Sequence, residues 1–427
     1  MSRSSTPVTP VQSVAGATPV PSVTEATPVA PNTTSAPRRV PVLWLALLAT
    51  PIAAGANAPV LILPDMAASL GVPTASAAGL LTAFGWAMAV ATPLLAGLLR
   101  RRGLSAVLRV ATVLVLVGTA LVAASPWLPL TLVGRCSQAA GGAGLVAAAI
   151  SLAGTARRMG VVSAGFGMLG AVGPLLGRTL ADSVSWRLAL AVSALALLAV
   201  PAVARHAGPG TPPAPGRFDS RGAALLTVLV TALVLLATAP LAALGAALVA
   251  AALLTLHVRR APDGFVPVAL LRSPVFLTSA LLALVLSASY FTLLFAVPRL
   301  LVERAGWDTA SAGTGQLLAL LCGSALSWPF AAASGRMGRA GARTVLLAVG
   351  TLAALTGILA DSGPLLLAAT AAGVFTASAA NAVLSTHAVA SAPDAGRRPA
   401  AIGLFTLCYQ LGGAFGPTVA ALLVLGS

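Results

Sequence analysis

The chain has 427 residues, of which 58% are hydrophobic and only 8% charged, with a formal net charge of +16. Soluble globular proteins carry about a quarter charged residues, so this composition excludes one. The 25 basic residues are all arginine and sit in short groups between apolar runs; that excludes a nucleic-acid-binding stripe and fits charge that sets membrane orientation.

Taken from the N-terminus, residues 1–39 are rich in Pro, Thr, Ser, Val and Ala, with Thr-Pro-Val recurring at 6, 9, 18 and 27. Such a tract buries no core and is expected to be a disordered tail. No cleavable leader is expected, because the first apolar run begins only near Val40. Apolar runs of about 20 residues, enough to cross a hydrocarbon core, then recur along the chain. They predict thirteen helices at 41–63, 76–99, 104–124, 128–154, 160–181, 186–204, 222–238, 241–258, 274–297, 310–334, 341–360, 363–390 and 400–425. Spans seven and eight are short and joined by Ala239-Pro240, which reads as a tight hairpin. The expected organisation is an N-terminal helical half (40–206), a cytoplasmic linker (207–221), the inserted hairpin (222–258), a second cytoplasmic linker (259–273) and a C-terminal helical half (274–427).

Arginine placement orients this array. Even-numbered connections hold Arg100, Arg101 and Arg102; Arg157 and Arg158; Arg205, Arg217 and Arg221; Arg259, Arg260 and Arg272; Arg336, Arg339 and Arg343; and Arg397 and Arg398. Arg38 and Arg39 precede span one, whereas odd-numbered connections hold only Arg187, Arg299 and Arg304, with Arg178 just before the fifth. The positive-inside bias places the N-terminus in the cytoplasm, and a multi-pass protein of the plasma membrane is expected.

The chain also repeats itself. "GLLRRRG" (Gly97 to Gly103, with Arg101) follows span two, and "GRMGRAG" (Gly335 to Gly341, with Arg336) follows span ten. "MLGAVGP" in span five, with Gly170, Gly173 and Pro174, is echoed by "QLGGAFGP" in span thirteen, with Gly416 and Pro417. The fold class expected is therefore an all-α polytopic membrane protein of two pseudo-repeated six-helix halves with an inserted hairpin. Duplicated helical halves that meet at a midplane site are the architecture of secondary transporters. Nothing in the second half corresponds to span six, so that half is expected to be incomplete.

At this point the pattern resembles the major facilitator superfamily, and within it the fourteen-helix drug:proton antiporter type. "GRCSQAAGGAG" is similar to the family's arginine-glutamine motif of helix four at Arg135 and Gln138. "GAVGPLLGR" is similar to the antiporter motif of helix five at Gly170, Gly173, Pro174 and Gly177. "RFDSRGAALL" and "LLRSPVF" look like the segments that flank the family's extra hairpin. The sequence departs from the pattern in three places. The loop after span two lacks the family's aspartate, the second glycine of the helix-five pair is Arg178, and the family's helix-one aspartate has its place near Gly55. The resemblance implies a fourteenth helix, which has no counterpart here.

Arg135 lies inside span four, where a charge is costly unless water, carbonyls or polar side chains surround it. One reading has it snorkelling to an interface or bonding a neighbouring helix; the other has it lining a polar path with Gln138. The nine acidic residues fall in the tail, at span ends or in connections, so a carboxylate proton relay is not expected and anionic or acceptor-rich substrates are favoured. Asn57, Tyr290, Gln316 and Asn381 are further candidates for the path. The Gly-Pro pairs of spans five and thirteen bend their helices and permit close contact, which suits a rocking seam. Scattered Cys136, Cys322 and Cys408 form no metal spacing; neither a metal nor a cofactor is expected, and no nucleophile or phosphate loop suggests an enzyme. The function expected is a secondary active transporter that exports a small organic molecule, drug-like or metabolite, by alternating access. Its partners would be that substrate, the bilayer and, as a candidate coupling ion, the proton. The alternatives are a transport-inactive sensor or scaffold on a transporter fold, and an uncoupled facilitator or anion exchanger.

Overall fold

The computed structural model describes residues 40–206, 219–236 and 239–425; the expected tail and most of the first linker lie outside these. Hydrocarbon offers backbone polar groups no water, so a chain this apolar satisfies them inside helices. Among the described residues, nine helices are long and apolar enough to cross a membrane. Two of them, Thr74–Ala124 and Thr309–Leu359, are 51 residues each and contain a break at Gly103 and at Gly338. Counting each as two, and adding Ser220–Leu235 and Arg398–Leu425, restores the thirteen spans in their expected order.

The breaks are turns. Phe84 in span two lies over Arg135 of span four and Leu95 lies against Gly144, so these spans run parallel. In span three, Gly118 faces Gln138 and Ala111 faces Gly141, the reverse sense. The chain therefore doubles back at Gly103, whose φ of 76° and ψ of −178° belong to a region open to glycine alone. Gly338 repeats this conformation (φ 69°, ψ 174°) at the same place in a helix of the same length, and both helices open on Thr-Ala-Ser-Ala, at Thr74 and Thr309. That register differs from the one expected from sequence: the counterpart of Gly103 is Gly338, not Gly341.

The repeat extends to packing. Span five (Ala156–Ser183) lies along span one (Val42–Asn57), and span thirteen (Arg398–Leu425), of the same 28-residue length, lies along span nine (Pro274–Glu303). The hairpin Ser220–Leu235 and Pro240–Arg260 stands beside spans two and thirteen, with Trp86 Nε1 donating to Thr231 Oγ1 at 3.0 Å. Its second helix turns Leu241, Leu248 and Val249 outward, as a lipid-facing surface requires.

Where the buried residues cluster shows how the halves meet. One core joins Leu45, Met159 and Val162 of the N-terminal half to Ala331, Ala382 and Ile402 of the C-terminal half. A second joins Ala89 and the hairpin to Leu404 and Phe405. Both lie towards the end of the bundle that carries Gly103, Gly338 and the arginine groups. At the opposite end each half keeps its own core: Ile62, Met66, Leu80 and Trp186 in one, Val297, Leu301, Ala353 and Leu366 in the other. The halves share their cores at the arginine-rich end and keep private ones at the other.

Candidate functional site

Span four begins at Leu128 with proline in its first turn and ends at Gly154 in the left-handed conformation, which sets Arg135 two turns inside the helix. The guanidinium is 0% exposed. Its Nη1 donates to Gln138 Oε1 at 3.1 Å, its Nη2 donates to the Gly55 carbonyl of span one at 3.1 Å, and its carbon lies 4.3 Å from the Phe84 ring centre. Nε is buried without a partner. Gln138 in turn donates to Thr119 Oγ1 at 3.0 Å and to the Leu190 carbonyl at 3.2 Å. The cation is therefore stabilised by dipoles and a ring face, and its Nε–H is left without a partner. Gly55 shows why no carboxylate stands at the helix-one position: a Cβ there would lie 2.9 Å from Ser193 Cβ. The backbone carbonyl takes the acceptor role instead.

The other expected path residues separate into three places. Asn57 donates from Nδ2 to the Gly170 carbonyl at 3.0 Å and ties span one to span five. Gln316 donates to the Leu294 carbonyl at 2.9 Å, one helical turn along span nine from Tyr290, whose ring lies 4.7 Å from that of Phe291; Gln316 Oε1 has no partner. Asn381 crosses between the halves, donating to Ser163 Oγ at 3.3 Å while its Oδ1 stays buried and unpartnered. The structure thus brings Arg135 and Gln138 together, ties Gln316 to span nine one turn from Tyr290, and sets Asn381 at the seam.

Several seam residues escaped sequence reasoning. Ser324, buried with an unpartnered hydroxyl, and Ser378 both face Gly167, where a Cβ would lie 2.5 Å from Ser324 Oγ and 3.2 Å from Ser378 Oγ. Thr92 Oγ1 lies 3.3 Å from Gln410 Oε1, also across the halves. Serines and threonines in membrane helices commonly bond their own backbone, so their type alone marks nothing.

That motif packs within each half. A Cβ at Gly170 would lie 3.3 Å from Asn57 Nδ2 and one at Gly173 2.7 Å from the Ala54 carbonyl, while Gly177 abuts the Ala58 carbonyl. Pro174 lies inside span five. In the repeat, Gly416 abuts Phe291 of span nine; Pro417 is helical, and its side chain lies outside the described residues. The missing second glycine, Arg178, pairs with Asp182 at 2.9 Å and with Asp65 at 2.7 Å, joining span five to the helix after span one. In the loop motif, Gly97 lies in the helix before the turn, Arg101 is half-buried, and Gly335, Arg336 and Gly341 lie around the second turn, Gly335 and Arg336 exposed.

Among the described residues the carboxylates stand at helix ends or in connections, and no group of three or more metal-ligating side chains occurs. The arrangement offers polar groups and one enclosed cation along two packed halves.

A family model described as Major Facilitator Superfamily matches residues 43–417. The crystal structure of the human organic anion transporter MFSD10 (TETRAN) is similar, with a TM-score of 0.63 at 20% identity over 91% of this chain and 94% of that one. The major facilitator proton:xylose symporter XylE, bound to 6-bromo-6-deoxy-D-glucose, gives 0.58 at 14% identity over 90% and 88%. At such identities the likeness is one of fold. No curated protein gives a significant sequence match.

Proposed function

The chain belongs to the major facilitator superfamily and is a non-enzymatic membrane transport protein, and from that premise we propose that it exports a small organic molecule by alternating access. The observation that carries this reading is the asymmetry of its cores, fused at the arginine-rich end and separate at the other. A protein that rocks about a central site needs such a seam, and the enclosed state here is one of its two positions. We read the arginine-rich end as cytoplasmic, by the positive-inside bias, in the plasma membrane. The solute then leaves through the end where the halves keep private cores. Arg135, with Gln138 beside it, supplies the positive charge that orients the solute. Asn57, Tyr290, Gln316 and Asn381 complete the polar path, and spans five and thirteen carry the rocking contacts.

A second reading concerns coupling. No carboxylate stands within a span interior among the described residues, and a cation does, which favours an anionic solute moved without a proton relay. The similar fold of a protein described as an organic anion transporter supports the same choice.

Flux of labelled organic anions and cations into sealed vesicles, with and without a pH gradient, tests both. We expect saturable flux that Arg135→Ala abolishes while membrane insertion is kept. Wild-type flux in that variant would remove Arg135 from the path. Flux that follows the pH gradient would replace the uncoupled reading with proton exchange, and no flux of any solute would favour a transport-inactive scaffold.

A further inference from the structure

The connection that follows the inserted hairpin touches both halves at the arginine-rich end. Arg397, just before span thirteen, reaches Asp263 Oδ1 at 2.5 Å. Arg100, at the end of span two, donates from Nη1 and Nη2 to the Gly264 carbonyl at 3.5 and 3.4 Å. Beside these two contacts Phe265, 7% exposed, lines a crevice together with Pro93, Gly97 and Arg100 of the N-terminal half and with Ala400 and Leu404 of the C-terminal half.

Its shape is imposed by one side chain. Asp219, at the start of the hairpin, accepts from the backbone N–H groups of Gly222 (2.9 Å) and Phe265 (2.8 Å) and pairs with His257 Nε2 (2.9 Å) near the hairpin's end. Gly264 has no room for a side chain, since a Cβ would lie 2.5 Å from Asp219 Oδ2. The hairpin is anchored to span two through Thr231 and Trp86.

We propose that residues 261–267 are a clasp that holds the arginine-rich end shut, so that the inserted hairpin sets how readily the two halves part there. Parting span two from span thirteen uncovers Phe265 and breaks the Asp263 contact, the Gly264 contact or both, since each goes to a different half. The two parts differ in weight. The ion pair has an acid that is 75% exposed, and such pairs contribute little in water. A buried phenylalanine contributes more. The clasp rests on the rocking of the two halves proposed above but needs no substrate to be tested.

The experiment uses the full chain with Cys136, Cys322 and Cys408 replaced by serine, and spin labels on Ser105→Cys and Ala340→Cys. These positions are exposed, one in each half, at the arginine-rich end. The label-to-label distance distribution then reports opening there. We expect a dominant short distance in the parent. Phe265→Ala should raise the long-distance population about tenfold, and Asp263→Asn about twofold to fivefold. The exposed Asp263 keeps the test open if Phe265→Ala does not fold. Gly403→Ala is the independent wedge, because its methyl would stand 2.6 Å from Ala96 Cβ across the seam. If Gly403→Ala lengthens the distance while the two clasp variants leave it unchanged, the clasp is overturned and the rocking stands. If none of the three moves it, the rocking fails and the clasp with it.

Discussion

At the scale of single residues, the central finding is how Arg135 is made tolerable. A guanidinium shut away from water needs several acceptors in a fixed fork, and here Gln138 Oε1, the Gly55 carbonyl and the Phe84 face supply them. Lysine carries the same charge without the fork. We therefore expect Arg135→Lys to insert normally but to lose most flux and to melt lower, by about 1–3 kcal/mol of lost or misplaced hydrogen bonding; vesicle flux and thermal unfolding in detergent check both. Unchanged melting would show that the fork contributes nothing to the fold. The Arg135–Gln138 pair was readable from its spacing of three residues along one helix face. Gly55 and Phe84 were not, because a backbone carbonyl is the same in every residue and an aromatic ring in an apolar run has no distinguishing neighbour. Asn381 was readable as an amide that needs a partner, but its partner Ser163 is a type too common to single out.

Among the elements, the two 51-residue helices show what the sequence repeat really encodes. The repeated glycine-arginine strings suggested one alignment; the backbone chose another, in which Gly103 and Gly338 match because each must adopt a conformation that side chains forbid. The Thr-Ala-Ser-Ala openings mark that register, and they lay unread because small residues are everywhere in this chain. Gly103→Ala or Gly338→Ala should each cost about 1–3 kcal/mol of strain, seen as a lower melting temperature, whereas Gly335→Ala, with open space around it, should melt like the parent. The connection after the hairpin has its own signature in pH. Partial burial pushes the Asp219 carboxyl up, but the N–H groups of Phe265 and Gly222 and the His257 side chain outweigh this and hold it below the ordinary range. A lowered value in the fold means that its stabilisation is complete above an ordinary carboxylate pKa of about 4 and is lost as pH falls through the depressed value. Amide exchange at Phe265, relative to other sheltered amides, should therefore accelerate below about pH 4, and in Asp219→Asn that relative rate should be high and unchanged across the same window.

For the whole molecule, span count and fold class were legible, since apolar length and arginine alternation are properties of the chain read end to end. Which end is closed was not legible. A sequence that rocks must be compatible with both positions, so its apolar pattern is the same in each, and only the placement of the buried clusters distinguishes them. Gly160, Gly167 and Gly403 carry the close contacts between the halves, against Ala331, Ser324 and Ala96. Pairwise Gly-to-Ala changes at these positions should shift the protein away from the closed arginine-rich end without lowering the melting of either half, measured by labelling of a cysteine placed at Ala400.

The private cores of Ile62, Met66, Leu80 and Trp186 on one side, and of Val297, Leu301 and Leu366 on the other, have one more consequence. Each half is therefore expected to fold when synthesised as its own polypeptide. Two transcripts divided between positions 206 and 219 should yield fragments that insert independently and then find each other in the bilayer, co-purifying through the shared cores that include Leu45, Met159, Ala331 and Ile402 and Ala89, Leu404 and Phe405.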